Sequence, residues 1–238
     1  MLSTFPALAP TVTELGLPLR DGLAQLRRWS MRAVQLGATG PWGIRPRTLS
    51  HSEVRDIKAT LRSMELQVCG IDLWIPPVHF QDPAHVDRAL DAVDACCGLA
   101  GTLGCSSVTL DLAPPWPSDE ILDALRSSAA RAGVSVAVAG TPDGEVPHGL
   151  VRSLDPAAWL SEGGDPILAA ADASASVRFS DLSAGVRVPP GMPGGRLDVP
   201  AFRAACSVGG ADRPVIADLR WLTEPVRALA TMGQVWNA

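Results

Sequence analysis

The sequence predicts an α/β fold, an eight-stranded (β/α)8 barrel that lacks the helix after its fifth strand. Three observations carry this. Short β-type runs alternate with amphipathic helical stretches along the chain, which implies βα units and a parallel sheet. About eight strand-like runs fit into 238 residues, close to the ~250 typical of such barrels. The first strand-like run is followed by "GLPLRDG", with no Gly-rich phosphate turn, so the open doubly wound sheet is the weaker alternative.

The elements follow in order. A first strand is expected at Thr11–Leu15, then a helix over Pro18–Arg32 with Leu19, Leu23 and Leu26 on one face. Ala33–Leu36 reads as the second strand. Ser50, with Glu53 three residues on, forms a capping box for a helix to about Met64. Leu66–Leu73 is the third strand. Asp82 caps the next helix with Pro83 at its first position, and Gly104 ends it. Val108–Leu112 is the fourth strand. Ser118 caps a helix through Arg131, and "VSVAVA", Val134–Ala139, is the clearest buried strand. "GTPDGEVPHG" is too short and too rich in proline for a helical crossover before Leu150–Leu154. A helix around Pro166–Ala173 leads to the strand opening "SVRFSDLSAG". Then come a long loop, a short helix from Pro200, the last strand in "PVIADL", and a helix over Glu224–Met232.

Composition narrows the function. The chain is 47% hydrophobic and 19% charged, which suits one globular domain over residues 1–238. A net charge of −5 with no Lys/Arg run argues against a nucleic-acid partner. No apolar run approaches the ~20 residues of a membrane span. The segment "MLSTFPALAPTV" lacks a basic start and is broken by Pro6 and Pro10, so no secretory signal is expected. Five cysteines, an odd count without zinc spacing, read as reduced buried thiols of a cytoplasmic protein.

In a barrel the active site lies at the C-terminal ends of the strands. The polar residues there are Glu14, Asp72, His79, Asp111, Asp155, Arg178, Asp181, Asp218 and Arg220. Each has a bland reading as well: Asp155, before Pro156, also fits a helix cap, and Asp181 a turn. Trp74 lies close to a strand end, where an indole face stacks on sugars or simply packs. The loop "RVPPGMPGG" precedes the last strand, near where barrels bind phosphate, and Arg178, Arg187 and Arg196 form a candidate anion clamp.

Several stretches together resemble the sugar phosphate isomerase/epimerase family, the xylose isomerase-like TIM barrels related to endonuclease IV. They are "GLPLRDGLAQLRRWSMRAVQLGA", "IDLWIPPVHFQDPAHVDRALDAV", "GLVRSLDPAAWLSEGGDP", "VRFSDLSAG", "GGRLDVPAFRAAC" and "RPVIADLR". The resemblance implies a divalent metal held by Glu, Asp, His and Glu at four strand ends, the two Glu also moving the proton next to a carbonyl. Carried over position by position, the first Glu is Ala139, the Asp is Asp155, the His is Arg178 and the last Glu is Asp218. Alanine offers no donor, and a guanidinium has no lone pair for a cation.

The expectation is therefore an isomerase- or epimerase-like protein for a small sugar or sugar phosphate, with an altered, metal-free site and no other cofactor. Asp155, Asp218 and His79 are its candidate catalytic residues. Arg178, Asp181, Arg196, Arg220 and Trp74 are its candidate substrate contacts. Arg178 is expected to take the metal's place between Asp155 and Asp218, and Asp181 also suits an anchor for the following loop. The alternative is a non-catalytic member, a pseudoenzyme binding a sugar-like ligand or a protein. The missing helix would leave apolar barrel surface bare, which suggests a homodimer.

Overall fold

A computed structural model describes residues 5–139, 145–171, 176–210 and 213–238. The first four residues of the segment read for a secretory signal lie outside it, as do the first half of "GTPDGEVPHG" and the end of the helix expected at Pro166–Ala173.

Eight parallel strands form the barrel: β1 (Leu8–Pro10), β2 (Ala33–Gly37), β3 (Gln67–Leu73), β4 (Ser107–Asp111), β5 (Ser135–Ala139), β6 (Val151–Leu154), β7 (Ser176–Phe179) and β10 (Val215–Ala217). They are hydrogen-bonded in the order β1-β10-β7-β6-β5-β4-β3-β2. A parallel bridge between Thr11 and Gln35 closes the ring, and the Thr11 hydroxyl donates to Gln35 Oε1 at 2.7 Å. The helices are α1 (Leu19–Arg28), α2 (His51–Ser63), α3 (Val86–Leu103), α4 (Asp119–Ala132), α5 (Pro156–Ser161), α6 (Pro166–Ala171), α7 (Val199–Gly210) and α8 (Pro225–Asn237). β8 (Asp181–Ser183) and β9 (Val186–Val188) make a separate antiparallel hairpin.

Local chemistry explains the well-read elements. At α2 the backbone N–H of Ser50 donates to Glu53 Oε2 at 2.7 Å, and the N–H of Glu53 donates back to Ser50 Oγ at 3.3 Å. Gly104 and Gly133 end α3 and α4 in the left-handed conformation that glycine adopts without strain.

Four expectations are corrected. The first strand is Leu8–Pro10, and "VTEL" is a single 3-10 turn instead. The apolar residues Val12 and Leu15 stand three apart, and that turn buries both. Asp82 caps a turn, accepting from the N–H of Ala84 at 2.9 Å, and α3 starts only at Val86. Part of the long loop is the β8–β9 hairpin. Its two turn residues, Ala184 and Gly185, both have positive φ, 48° and 79°, as tight hairpin turns require. The short helix α5 follows Asp155 directly. Residues 145–150 form no helix, as expected. Even so, the outward Val136, Val138 and Leu154 are buried, where bare apolar surface was expected.

Two apolar zones result. The large core lies between barrel and helices; of the largest fully enclosed side chains, all except Arg178 belong to it. Inside the barrel the apolar content is small: Ala9, Ala33 and Ile216, with Cys69 against them. Strand register stacks the inward positions in layers of four from alternate strands. Gly37, Asp111, Asp155 and Asp218 form the top layer. Thr11, Asp72, Ala139 and Arg178 lie beneath, then Gln35, Thr109, Ser153 and Ile216. Such layers usually hold branched aliphatic residues; here, apart from Ile216, they are small, polar or charged. A cavity of about 410 Å³ opens at the bottom, lined by Gln35, Cys69, Ser107, Ser135 and Ser176 among others.

All five cysteines are free thiols, and four are fully buried. Burial pushes their thiols up, Cys69 and Cys206 to about 12, which marks them as packing residues.

Candidate functional site

The top two layers place acidic and basic side chains together at the C-terminal mouth. Their positions come from the period-2 alternation of each strand: Asp111, Asp155 and Asp218 lie one step beyond Thr109, Ser153 and Ile216 on the inward face.

Three arginines hold the aspartates. Arg178 of β7 is 1% exposed, and its Nη2 donates to Asp72 Oδ1 at 2.5 Å, while its Nη1 stands 3.8 Å from Asp218 Oδ2. Arg187, from hairpin strand β9, bridges two carboxylates: Nη2 donates to Asp155 at 2.5 Å and Nη1 to Asp218 at 2.8 Å. Arg220, just past β10, grips Asp218 through Nε at 2.8 Å and Nη2 at 2.6 Å, and reaches Asp155 at 3.3 Å. Ser180 adds a 2.7 Å hydrogen bond to Asp155 Oδ1. Each buried charge thus faces an opposite one, the condition for burying it at all.

Electrostatics separates the carboxyls. Burial opposes ionisation of Asp218, but Arg220, Arg178 and Arg187 outweigh it and hold this carboxyl well below the usual range. Glu14 behaves oppositely. Burial, with Asp218 and Asp72 nearby, pushes it up to about 8, and it accepts the N–H of Leu219 at 2.9 Å. Burial also raises Asp111, against the pull of Arg220 and Arg178.

A cavity of about 290 Å³ lies over these groups, lined by Trp74, Asp111, Asp155, Arg187, Arg220 and Trp221 among others. The two indoles meet edge to face at 5.6 Å. Arg220 lies over both rings, 5.4 Å from Trp74 and 5.1 Å from Trp221, and Arg187 lies 5.3 Å from Trp221. Trp221 takes a positive φ of 62°, unusual for a bulky residue. Among the described residues, Arg220 Nη1 and Arg187 Nε make no hydrogen bond, so both guanidinium groups keep a donor for a ligand.

Of the expected site residues, Asp155, Asp218, Arg178 and Arg220 come together here, with Trp74 on the wall. Arg178 meets Asp218 as expected, but its hydrogen-bonded carboxylate is Asp72, and Arg187 and Arg220 in its place hold Asp155. His79 lies elsewhere. The 3-10 turn Pro77–Phe80 carries it into a neighbouring cavity, stacked on His85 at 4.5 Å, which corrects its placement beside the aspartates. Asp181 is also outside the mouth cavity. Its Oδ1 accepts the N–H groups of Leu182, Arg196 and Leu197 at 2.7, 2.9 and 2.9 Å, and so pins the loop that follows the hairpin. The Arg196 side chain turns away to donate to the Leu160 carbonyl at 2.7 Å. Sequence reasoning missed the part played by Asp72, Asp111 and Arg187. Their strand-end or loop positions were visible, but the pairings depend on barrel closure and on the hairpin.

The residues do not fit a divalent cation. At the four family positions stand Ala139, Arg178 and two aspartates whose oxygens are taken by guanidinium groups. Among the described residues no group of three or more His, Cys, Asp or Glu could hold a metal.

No family model and no curated protein matches the sequence. Solved structures match over nearly the whole chain. A xylose isomerase domain protein from Planctomyces limnophilus superposes with a TM-score of 0.71 at 17% identity, covering 98% of this chain and 96% of its own. A 3-keto-D-glucoside 4-epimerase from E. coli gives 0.72 at 12% identity, covering 96% and 99%. A xylose isomerase-like TIM barrel protein from Mycobacterium smegmatis, solved in complex with magnesium, gives 0.65 at 14% identity, covering 100% and 98%. No described helix is long and apolar enough to cross a membrane. At these identities the likeness speaks for architecture, and the chain has the xylose isomerase-like TIM-barrel fold.

Proposed function

We propose that the protein isomerises a small sugar or sugar phosphate by proton transfer next to a carbonyl, with arginines in the role that a metal fills elsewhere in this fold. One observation carries the reading. Asp111, a carboxyl with a raised pKa, shares a small cavity with two guanidinium groups that each keep a free donor. A carboxylate made more basic by burial, beside guanidinium donors that can meet a developing oxyanion, is the arrangement enolisation needs.

In this mechanism Asp111 takes the proton from the carbon beside the carbonyl. The C–H electron pair becomes a C=C bond, and the carbonyl π pair moves onto oxygen, where Arg220 Nη1 and Arg187 Nε donate to it. Asp111 returns the proton to the neighbouring carbon, while a hydroxyl proton passes between the two oxygens. One carboxylate suffices for isomerisation, since the proton leaves and returns on one face. Asp155 and Asp218 act as anchors that fix the two arginines. Trp74 and Trp221 offer ring faces to the sugar. The fold neighbours named for sugar epimerisation and xylose isomerisation support the substrate class, and nothing in the comparisons supports the non-catalytic alternative.

The test is solvent exchange. The protein is incubated in D2O containing EDTA with a panel of ketoses, keto-glycosides and their phosphates, and proton NMR follows the carbon adjacent to the carbonyl. Loss of that signal, slowed at least 100-fold in Asp111→Asn and in Arg220→Met, is expected. Absence of exchange across the panel overturns the proposal.

A further inference from the structure

The largest cavity among those above lies outside the mouth. It measures about 650 Å³ and sits between the loop after β2 and the first half of α3, with Trp74 as the wall shared with the mouth cavity. Its floor is apolar: Leu73, Ile75, Ala89 and Cys96 are buried there. Its rim carries three cations. Arg45, Arg47 and Arg88 line it together with His79 and His85, and no carboxylate is among its described lining residues.

One of the three arginines is already balanced from outside, Arg47 pairing with Asp91 at 3.1 Å, and His85 Nδ1 is hydrogen-bonded to Asp82 at 2.7 Å. Among the described residues the guanidinium groups of Arg45 and Arg88 take part in no ion pair or hydrogen bond. Arg45 also holds a left-handed backbone, φ 45°, a conformation unfavourable for a non-glycine residue that recurs at ligand clamps.

We propose that this cavity binds a small organic anion with an apolar body, such as the phosphate monoester of an aromatic or short alkyl group. The body lies on the Leu73–Ile75 floor, and the anionic group sits between Arg45 and Arg88. An apolar pocket with a few convergent polar groups is the usual form of a small-molecule site, and this volume falls within the range of such sites, roughly 300–1,000 Å³. Guanidinium groups suit a phosphate or carboxylate through paired N–H donors. The unbalanced rim selects against a neutral ligand, and the apolar floor against inorganic phosphate. The site stands independently of any sugar chemistry at the mouth.

Isothermal titration with 1-naphthyl phosphate, 1-naphthol and inorganic phosphate tests this. Saturable 1:1 binding of naphthyl phosphate is expected, with naphthol and inorganic phosphate each at least tenfold weaker. The exposed pair Arg45→Ala/Arg88→Ala should weaken binding at least tenfold, and Ala92→Phe, which fills the cavity without changing charge, should abolish it. Asp111→Asn, at the mouth, should leave it unchanged, which separates this site from the proposed catalytic one. No binding of naphthyl phosphate, equal affinity for naphthol, indifference to the arginine pair, or loss in Asp111→Asn overturns the proposal.

Discussion

Arg178 and Asp72 meet across the full width of the barrel. β7 and β3 stand opposite each other in the closed ring, yet Arg178 Nη2 donates to Asp72 Oδ1 at 2.5 Å, with the guanidinium fully enclosed. The pair is an internal strut where other barrels stack branched aliphatic side chains. Removing Arg178 takes away the hydrogen-bonded cation of Asp72, at a cost of up to about 3–5 kcal/mol, whereas removing Asp72 leaves Arg178 facing Asp218 at 3.8 Å, a smaller loss. Arg178→Met alone should lower the urea midpoint steeply, and Asp72→Leu alone should lower it less. The double variant should be more stable than either single variant, and simple addition of the two losses would show that the charges are not coupled.

Glu14 gives stability a pH dependence. Its folded pKa, about 8, lies above the ordinary value of 4.5, so folding prefers the protonated form. That contribution is fully present below pH 4.5 and is lost as pH rises toward and through 8. Asp218, held low by its three arginines, stays ionised throughout this window and adds no slope. Glu14→Gln should therefore flatten thermal stability between pH 5 and 8 and exceed the wild type above pH 8. Parallel curves for the two proteins would count against a buried neutral Glu14.

Asp181 acts at a distance on the mouth. Its Oδ1 gathers three backbone N–H groups, two of them from the segment after the hairpin that carries Arg187. Asp181→Ala leaves those donors without their acceptor, about 1–3 kcal/mol for each one that stays buried. The expected result is a lower unfolding midpoint and weaker ligand binding together, while Asp181→Asn, which keeps an acceptor oxygen, recovers much of both. An unchanged midpoint in Asp181→Ala would contradict this anchoring role.

Beneath Arg178, the hydroxyls of Thr109 and Ser153 are buried and make no hydrogen bond to the described residues. Burying an unpaired hydroxyl is unfavourable by about 1–3 kcal/mol on mutational scales. Ser153→Ala should be neutral or stabilising by up to about 1 kcal/mol in chemical denaturation. A loss of that size instead would mean that the hydroxyl has a partner in solution.

Much of this architecture was legible because it rests on local chemistry. The Ser50–Glu53 box, the helix-ending Gly104 and Gly133, and the alternation of "VSVAVA" each act within a few residues. Asp155, Asp218 and Arg178 were visible as strand-end residues for the same reason. What stayed hidden depends on chain closure. The partner of Arg178 lies 106 residues away, and Glu14 receives a backbone donor from 205 residues on. Arg187 reaches the mouth only because Ala184 and Gly185 fold a hairpin, and "AG" is a far weaker turn signal than Asn-Gly. His79 shows the converse error: it follows β3 directly, but one 3-10 turn is enough to carry it into a different cavity.

The central claim is that guanidinium groups, in place of a metal, balance the carboxylates of the mouth. Thermal unfolding in EDTA and in graded Mn²⁺, Mg²⁺, Co²⁺ and Zn²⁺ tests it directly, since a cation bound to the folded state stabilises it, by about 2.7 kcal/mol at 100 times Kd, and so raises the midpoint. The account predicts a midpoint unmoved by any of the four ions. A saturable rise at micromolar metal that disappears in Asp155→Asn and Asp218→Asn would contradict it.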